Sequence, residues 1–450
     1  MAEVNMEQLL NCALCPNMCR SECPVLQVTG REAVAPAGKA RIAALINEGK
    51  LAWDEVMLEA ASNCLGCRGC TIYCPFPELN LCDELLYSRM PAKGGGASLP
   101  AIDPYLNNLR KYSSPYGQKT GAVIASSQGR EAGWKKGRSQ EGNRSREWSR
   151  DNEGNLEIES DPEKGGSPEH EQSRKDGADW KSEEQPEDRD NQAGPGGAGD
   201  PGESRATLEE PGLLERDILF YNGCTSLANH PASIEAARSV LERAGISFQM
   251  IEEDCCGYPA EVWGDEELAR QLAEENRSKF AASGASLLVT NCPECWLTFS
   301  RRYPARGQEL PLEIIDGPTF LLHLVRQGRL QPKETGPGTG EEPEVISYHD
   351  PCIWARTAEK TEEPREILQY IPGLKVIEPH ASRALTRCCG GGSMFQLAFP
   401  ATASAVARRR LTEFPPEAPL VTACPFCREG LLQDKKPVWE LIELVERFFE

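Results

Sequence analysis

Cysteine is the residue type in this chain whose abundance and spacing could do chemistry. Nineteen cysteines occur in 450 residues. Eight lie in two runs near the start, Cys12-x2-Cys15-x3-Cys19-x3-Cys23-Pro24 and Cys64-x2-Cys67-x2-Cys70-x3-Cys74-Pro75. Ten more form two longer patterns, Cys224-x30-Cys255-Cys256-x35-Cys292-x2-Cys295 and Cys352-x35-Cys388-Cys389-x34-Cys424-x2-Cys427. Thiolates are soft ligands that suit iron with sulfide, or zinc. Three of them separated by two residues each can wrap one corner of an iron–sulfur cube, while a fourth leaves at an angle set by the proline after it.

The run from Cys64 to Pro75 has the spacing of bacterial two-cluster ferredoxins. The run from Cys12 differs by one extra residue between its second and third cysteines. Tetrahedral zinc sites, by contrast, usually pair two separated Cys-x-x-Cys knuckles. In two-cluster ferredoxins the last cysteine of each run serves the other cluster. The expected sets are therefore Cys12, Cys15, Cys19 and Cys74 around one cube, and Cys64, Cys67, Cys70 and Cys23 around the other. Cys82 falls outside every motif and reads as a small buried apolar residue.

In the longer patterns, adjacent cysteines ligate one tetrahedral ion poorly, whereas a multi-iron cluster accepts thiolates from neighbouring positions. Five soft ligands per repeat suit iron and sulfide; a zinc-binding or purely structural domain is the alternative. Gly257 and Gly390-Gly391-Gly392 leave room for the backbone to approach sulfide. His349 could donate a proton beside Cys352, or be a strand-end histidine satisfied by backbone. Asp254 and Asp350 could tune a cluster through charge or cap helices.

The elements that must position these residues repeat themselves. Strand Ile218 to Tyr221 ends before Cys224, strand Ile246 to Ile251 leads to Cys255-Cys256, and strand Leu287 to Val289 ends at Cys292. Helical spacing fills 234–244 and 266–282. The order returns with strands 345–348, 375–378 and 420–422 and a helix over 395–413. Matching cysteines lie 128, 133 and 132 residues apart, so the C-terminal half is an internal duplication. Strands alternating with helices imply two α/β units with cysteines at strand ends, where open sheets present ligands. Between Cys23 and Cys64, residues 40–46 and 54–61 have helical character. The fold class expected is α+β overall, a helical two-cluster ferredoxin domain followed by two duplicated α/β domains.

The net charge of −20 is uneven: residues 151–210 hold 19 acidic and 6 basic residues, leaving −7 for the rest. The chain offers no basic footprint for nucleic acid. From about 121 to 212 apolar residues follow no period, and such a stretch cannot bury enough surface to offset its backbone entropy. The boundaries expected are a ferredoxin-like domain over 1–118, a disordered acidic linker over 119–212, and repeats over 213–335 and 336–450. The start of the chain lacks a basic region followed by an apolar stretch, and no run nears the eighteen apolar residues of a membrane span. The localisation expected is cytoplasmic, or peripheral on the inner face of the membrane through a partner.

With these motifs in view, the layout resembles heterodisulfide reductase-like iron–sulfur proteins with two CCG domains. It is similar also to the iron–sulfur subunits of glycolate oxidase, of lactate-utilisation systems and of anaerobic glycerol-3-phosphate dehydrogenase. The resemblance implies a noncubane [4Fe–4S] cluster held by the five cysteines of each complete CCG domain, beside two cubane clusters in the N-terminal domain. In disulfide-reducing members that noncubane cluster is where the disulfide is cleaved, which would make Cys256 and Cys389, with His349, the catalytic candidates. No Gly-x-Gly-x-x-Gly loop follows a strand, so flavin or nicotinamide chemistry would lie on a partner. Two functions follow: an iron–sulfur oxidoreductase subunit relaying electrons between a flavoprotein dehydrogenase and another acceptor, or a disulfide reductase acting at a CCG cluster.

Overall fold

The computed structural model describes residues 4–15, 18–74, 76, 79–85, 99–117, 212–334, 345–433 and 436–450. The expected acidic linker falls almost wholly outside them. The described residues belong to one compact unit, and 130–198 lie outside them.

The N-terminal part is helical, as expected. Helix Met6–Leu14 starts where Asn5 accepts the Gln8 N–H at 3.1 Å, and Glu55–Ser62 starts where Asp54 accepts the Met57 N–H at 2.7 Å. Both are side-chain caps on otherwise unsatisfied first-turn donors. Helix Pro36–Asn47 packs on Met6–Leu14 through Ala40, Ala43 and Ala44 against Leu9 and Ala13. The small side chains let the two backbones approach and bring Cys12 beside them.

Each repeat holds a four-stranded parallel sheet. The first joins β1 (Ile218–Tyr221), β2 (Phe248–Gln249), β3 (Leu287–Thr290) and β4 (Glu313–Asp316) in the order β2-β1-β3-β4. The second joins β5 (Val345–His349), β6 (Lys375–Ile377), β7 (Leu420–Thr422) and β8 (Val438–Glu440) in the order β6-β5-β7-β8. The central strands β1 and β3 are buried throughout, because crossover helices cover both faces of a parallel sheet. The duplication is thus repeated strand for strand.

The repeats meet reciprocally. Helix Pro231–Arg243 of the first packs on Leu441–Phe448 of the second, and Gly317–Arg326 of the first on Glu362–Gln369 of the second. One apolar core, including Val240, Leu324, Trp354 and Leu444, runs through both interfaces.

Two expectations change in detail, and two strands had not been expected. The strand expected over 246–251 is reduced to Phe248–Gln249 at a sheet edge. The helix expected over 395–413 is two helices, Phe395–Ala398 and Pro400–Leu411. Pro400 has no N–H to continue the first and a fixed φ suited to opening the second. Strands β4 and β8 pair at the opposite edges and end in Asp316 and Glu440 rather than cysteine.

Candidate metal centre

The N-terminal cysteines line two cavities. The first, about 420 Å³, is bordered by Cys12, Cys15, Cys19 and Cys74, and also by Cys70. The second, about 400 Å³, is bordered by Cys23, Cys64, Cys67 and Cys70. The last cysteine of each run therefore stands at the other run's cavity. Burial pushes the Cys12 thiol up to about 12 and Cys19 to about 11, helped by neighbouring thiols. Packed thiols resist ionising together, and cationic iron removes that penalty.

Two residues at the second cavity were not recognised from sequence. Lys39 is buried, and its Nζ donates to the Asn63 carbonyl at 2.8 Å while facing the cavity. Its place at the fourth position of an alanine-rich helix gave no signal. Cys82 is buried as expected, but it is more than an apolar filler: it lines the second cavity within hydrogen-bond reach of Cys64 and Cys70.

In each repeat the cysteines gather at the carboxyl ends of the strands. Cys224, Cys256, Cys292 and Cys295 border a cavity of about 250 Å³, with Cys255 in side-chain contact with Cys224 and Cys256. Pro425 and Phe426 of the second repeat close that cavity. In the second repeat Cys388 touches Cys352 and Cys389, and Cys389 touches Cys427. Cys424 joins the group through the Cys427 N–H, which it accepts at 3.4 Å.

The four groups adjoin one another from end to end. Cys70 borders both N-terminal cavities. Cys67 contacts Cys388 of the second repeat, and that contact, with the Arg356 charge, draws the Cys67 thiol well below its ordinary value. Arg356 fastens the junction, donating to the Cys67 carbonyl at 2.6 Å, to Ala384 O at 2.8 Å and to Thr386 O. Cys424 of the second repeat lies close enough to Cys292 of the first for their charges to interact.

Other partners were missed because they are distant in sequence. Ser113 O accepts the Cys255 N–H at 2.7 Å, and the Tyr116 hydroxyl meets Thr225 Oγ1 at 3.0 Å, so residues 113–116 lie over the first repeat's site. Glu294, between Cys292 and Cys295, accepts the Ser393 N–H at 2.5 Å. Burial raises its carboxyl to about 8, with the neighbouring Cys256 and Cys389 thiols pushing the same way. Its position inside a Cys-x-x-Cys element was the one available clue.

Gly390 and Gly391 bring their N–H groups to the Cys388 and Cys389 sulfurs at 3.5 and 3.4 Å. Gly257 and Gly390 also serve packing: both have positive φ, +89° and +83°, and a Cβ at Gly390 would come within 2.5 Å of Ala403 O. Other sequence readings are corrected. Asp350 and Asp254 cap no helix. Asp350 is held by Arg365 through two bonds of 2.8 Å, and Asp254 pairs with Lys279 at 2.7 Å. His349 is neither beside Cys352 nor satisfied by backbone. Its Nδ1 accepts the Arg410 Nε–H at 3.2 Å, and its ligand nitrogen lies within 4.8 Å of the Cys389 and Cys427 sulfurs. Burial holds it below its ordinary pKa, and so neutral.

These groupings agree with what known proteins share. The 4Fe-4S dicluster domain family matches residues 8–77, and the cysteine-rich domain family, CCG, matches residues 218–300 and 346–431. The chain carries one 4Fe-4S dicluster domain and two CCG domains. It is 32% identical over 245 residues to one of the subunits of dihydromethanophenazine:CoB--CoM heterodisulfide reductase from Methanosarcina barkeri, a match covering 51% of this chain and 58% of the relative. It is 30% identical to the probable iron-sulfur-binding oxidoreductase FadF of Bacillus subtilis, covering 51% of this chain and 34% of the relative. It is 29% identical to an EtfAB:quinone oxidoreductase of Syntrophomonas wolfei, covering 50% and 33%. The chain thus spans between a third and three fifths of these relatives. A putative Asp/Glu racemase from Yersinia pestis aligns with 51% of the chain and 96% of its own length, at 12% identity and a TM-score of 0.24, too slight a likeness to inform the fold. Among the described residues no helix is long and apolar enough to cross a membrane.

Proposed function

We propose that the chain is an iron–sulfur oxidoreductase subunit that relays electrons between a flavoprotein dehydrogenase and a second redox acceptor. The observation that carries this reading is the contiguity of the four thiol groups through Cys70, the Cys67–Cys388 contact and the Cys424–Cys292 proximity. The residues fit the cofactors that the matched families imply: soft donors in fours and fives, buried and crowded around cavities. Cys12, Cys15, Cys19 and Cys74 would hold one cubane cluster, and Cys23, Cys64, Cys67 and Cys70 the other. Cys224, Cys255, Cys256, Cys292 and Cys295, then Cys352, Cys388, Cys389, Cys424 and Cys427, would hold two noncubane clusters. Clusters bound there supply one-electron exchange. The chain's own contribution is to keep the thiols adjacent, exclude water and join the modules rigidly at Arg356.

A second reading, a disulfide reductase acting at a CCG site, is favoured by one feature. The first repeat's cavity places the buried carboxyl of Glu294, its pKa raised by burial, beside Cys256 and Cys295. The test is anaerobic assay of the purified chain with reduced viologen. The relay reading expects no appreciable reduction of small-molecule disulfides, but electron exchange with a flavoprotein partner that Cys256→Ser and Cys389→Ser abolish. Clear disulfide reductase activity of the wild-type chain alone would overturn it.

A further inference from the structure

His349 closes β5 with its side chain 1% exposed. Its Nδ1 accepts the Nε–H of Arg410, and arginine carries donors only. Nδ1 therefore bears no proton, and the single proton of the neutral ring sits on Nε2. Among the described residues Nε2 has no partner at full hydrogen-bonding geometry, and the side chain its ring does interact with is the Cys389 thiol. A buried N–H without an acceptor is costly, and such groups are rare in native folds. A ring nitrogen of His349 lies within 4.8 Å of the Cys389 and Cys427 sulfurs, and with Nδ1 taken by Arg410 the Nε2–H is the group left to face them.

We propose that the Nε2–H of His349 is reserved for a sulfur of the cluster in the second repeat, and that Arg410 holds it there by fixing the tautomer. Arg410 is itself immobilised. It donates to Glu413 Oε2 at 2.7 Å and to Thr386 Oγ1 at 3.4 Å, and its guanidinium lies 4.7 Å over the Phe414 ring. The geometry excludes two other roles. A ring nitrogen that carries the proton offers iron no lone pair, so His349 is not a ligand. With Nδ1 facing a guanidinium N–H, the ring has no site for a second proton, so it does not deliver one. It is a positioning residue that acts through a thiolate or sulfide.

The first repeat lacks this device. The chain offset of 128 places Tyr221 where the second repeat has His349, and the offsets of 133 and 132 place Arg277 and Ser278, beside the buried Asn276, where it has Arg410. The Tyr221 hydroxyl donates to Asp254 O at 2.5 Å, and the Asn276 amide donates to Cys255 O at 3.0 Å. Neither sends an N–H toward a thiol. A hydrogen bond donated to cluster sulfur favours the more electron-rich, reduced state and raises its potential. The imidazole donor is thus particular to the second repeat and raises its cluster's potential relative to the same site without it, whereas in the first repeat the Thr298 hydroxyl approaches Cys256.

This inference rests on the second repeat holding an iron–sulfur cluster, and the experiment separates the two claims. The full-length chain, reconstituted anaerobically with 15N-labelled histidine, is studied by ENDOR and by an EPR-monitored redox titration. Weak 15N coupling is expected, as for a hydrogen bond to sulfur; strong coupling would mean iron ligation and overturn the inference. His349→Phe should keep full iron but lower the midpoint of one cluster, and His349→Gln, whose amide can donate, should restore most of the shift. An unchanged midpoint in His349→Phe, or loss of one cluster's iron with the fold retained, contradicts the proposal. Should His349→Phe not fold, the labelled wild-type measurement decides alone. Unchanged iron in Cys389→Ser would instead remove the cluster reading itself, and the inference with it.

Discussion

In the first CCG repeat the residue two positions before the paired cysteines is Glu253, and in the second it is Thr386. The difference follows from the turn that each faces. Glu253 accepts the Asn222 N–H at 2.7 Å, the Asn222 side-chain amide at 2.9 Å and the Gly223 N–H at 2.7 Å. In the second repeat Pro351 stands in place of Gly223 and has no N–H to satisfy. Asp350 stands in place of Asn222 and is already an acceptor, held by Arg365. A hydroxyl suffices there, and Thr386 donates to Asp350 O at 3.0 Å. One substitution in a duplicated turn thus carries a set of others with it. The first site ends ringed by the carboxyls of Glu253 and Glu294, the second by Arg356, Arg410 and His349.

The sharpest way to break this comparison is to remove each site in turn. Cys256→Ser and Cys389→Ser should each lose about four irons per chain, the content of one [4Fe–4S] cluster, while the other repeat keeps its own. Iron and sulfide analysis checks this. Loss from both repeats on either substitution would mean one cooperative site, and the comparison would collapse.

The turns should differ next. Glu253→Ala strands three buried donors and should destabilise the protein by about 3 kcal/mol, counting about 1 kcal/mol per donor at the low end of the range. Thr386→Val removes the donor to Asp350 O and a long, 3.4 Å acceptor for Arg410, and should cost about 1 kcal/mol. Urea unfolding under anaerobic conditions compares them, and equal costs would contradict the account of the turns.

A smaller contrast lies in how the N-terminal module grips each repeat. Arg302 of the first repeat meets Asp83 at 2.9 Å, whereas Arg356 of the second meets an uncharged carbonyl. Burial alone would raise the Asp83 carboxyl, but Arg302 and Arg68 outweigh it and hold the pKa below the ordinary range. A carboxyl depressed in the folded state adds stability that is present above its unfolded value, near 3.9, and lost as pH falls through the folded value. Asp83→Asn should therefore destabilise by about 2 kcal/mol at neutral pH, less than a fully buried pair because the Asp83 side chain is 19% exposed. The gap from wild type should close as pH falls below about 4. A gap that persists at the lowest pH would show that the charge is not what grips the first repeat. Smallest of all, Cys82→Ser should leave the iron content unchanged, since the second cavity keeps its four expected ligands; loss of about four irons would make Cys82 a ligand.

Much of this was legible in the sequence. The cysteine offsets announced the duplication, and the crossed placement of Cys23 and Cys74 followed from the ferredoxin spacing. The buried strands 218–221 and 420–422 stood out because parallel strands read as unbroken apolar runs. Strands 313–316 and 438–440 did not, because Glu-Ile-Ile-Asp and Val-Trp-Glu mix apolar and acidic residues too briefly to show a period. The junctions were invisible for a different reason. Arg356 and Cys67 are 289 residues apart, and Arg302 and Asp83 219, so no local pattern could pair them. His349 drew notice beside Cys352 along the chain, but the pleat turned it toward Cys389 and Cys427 instead.

The central claim is that four complete thiol groups, two in the N-terminal module and one in each repeat, hold four iron–sulfur clusters. Anaerobic reconstitution of the full chain followed by iron, sulfide and zinc analysis tests it directly. The account predicts about sixteen irons and as many sulfides per chain, with negligible zinc. About eight irons, with zinc making up the balance, would leave the two N-terminal clusters standing and contradict the assignment of both CCG repeats.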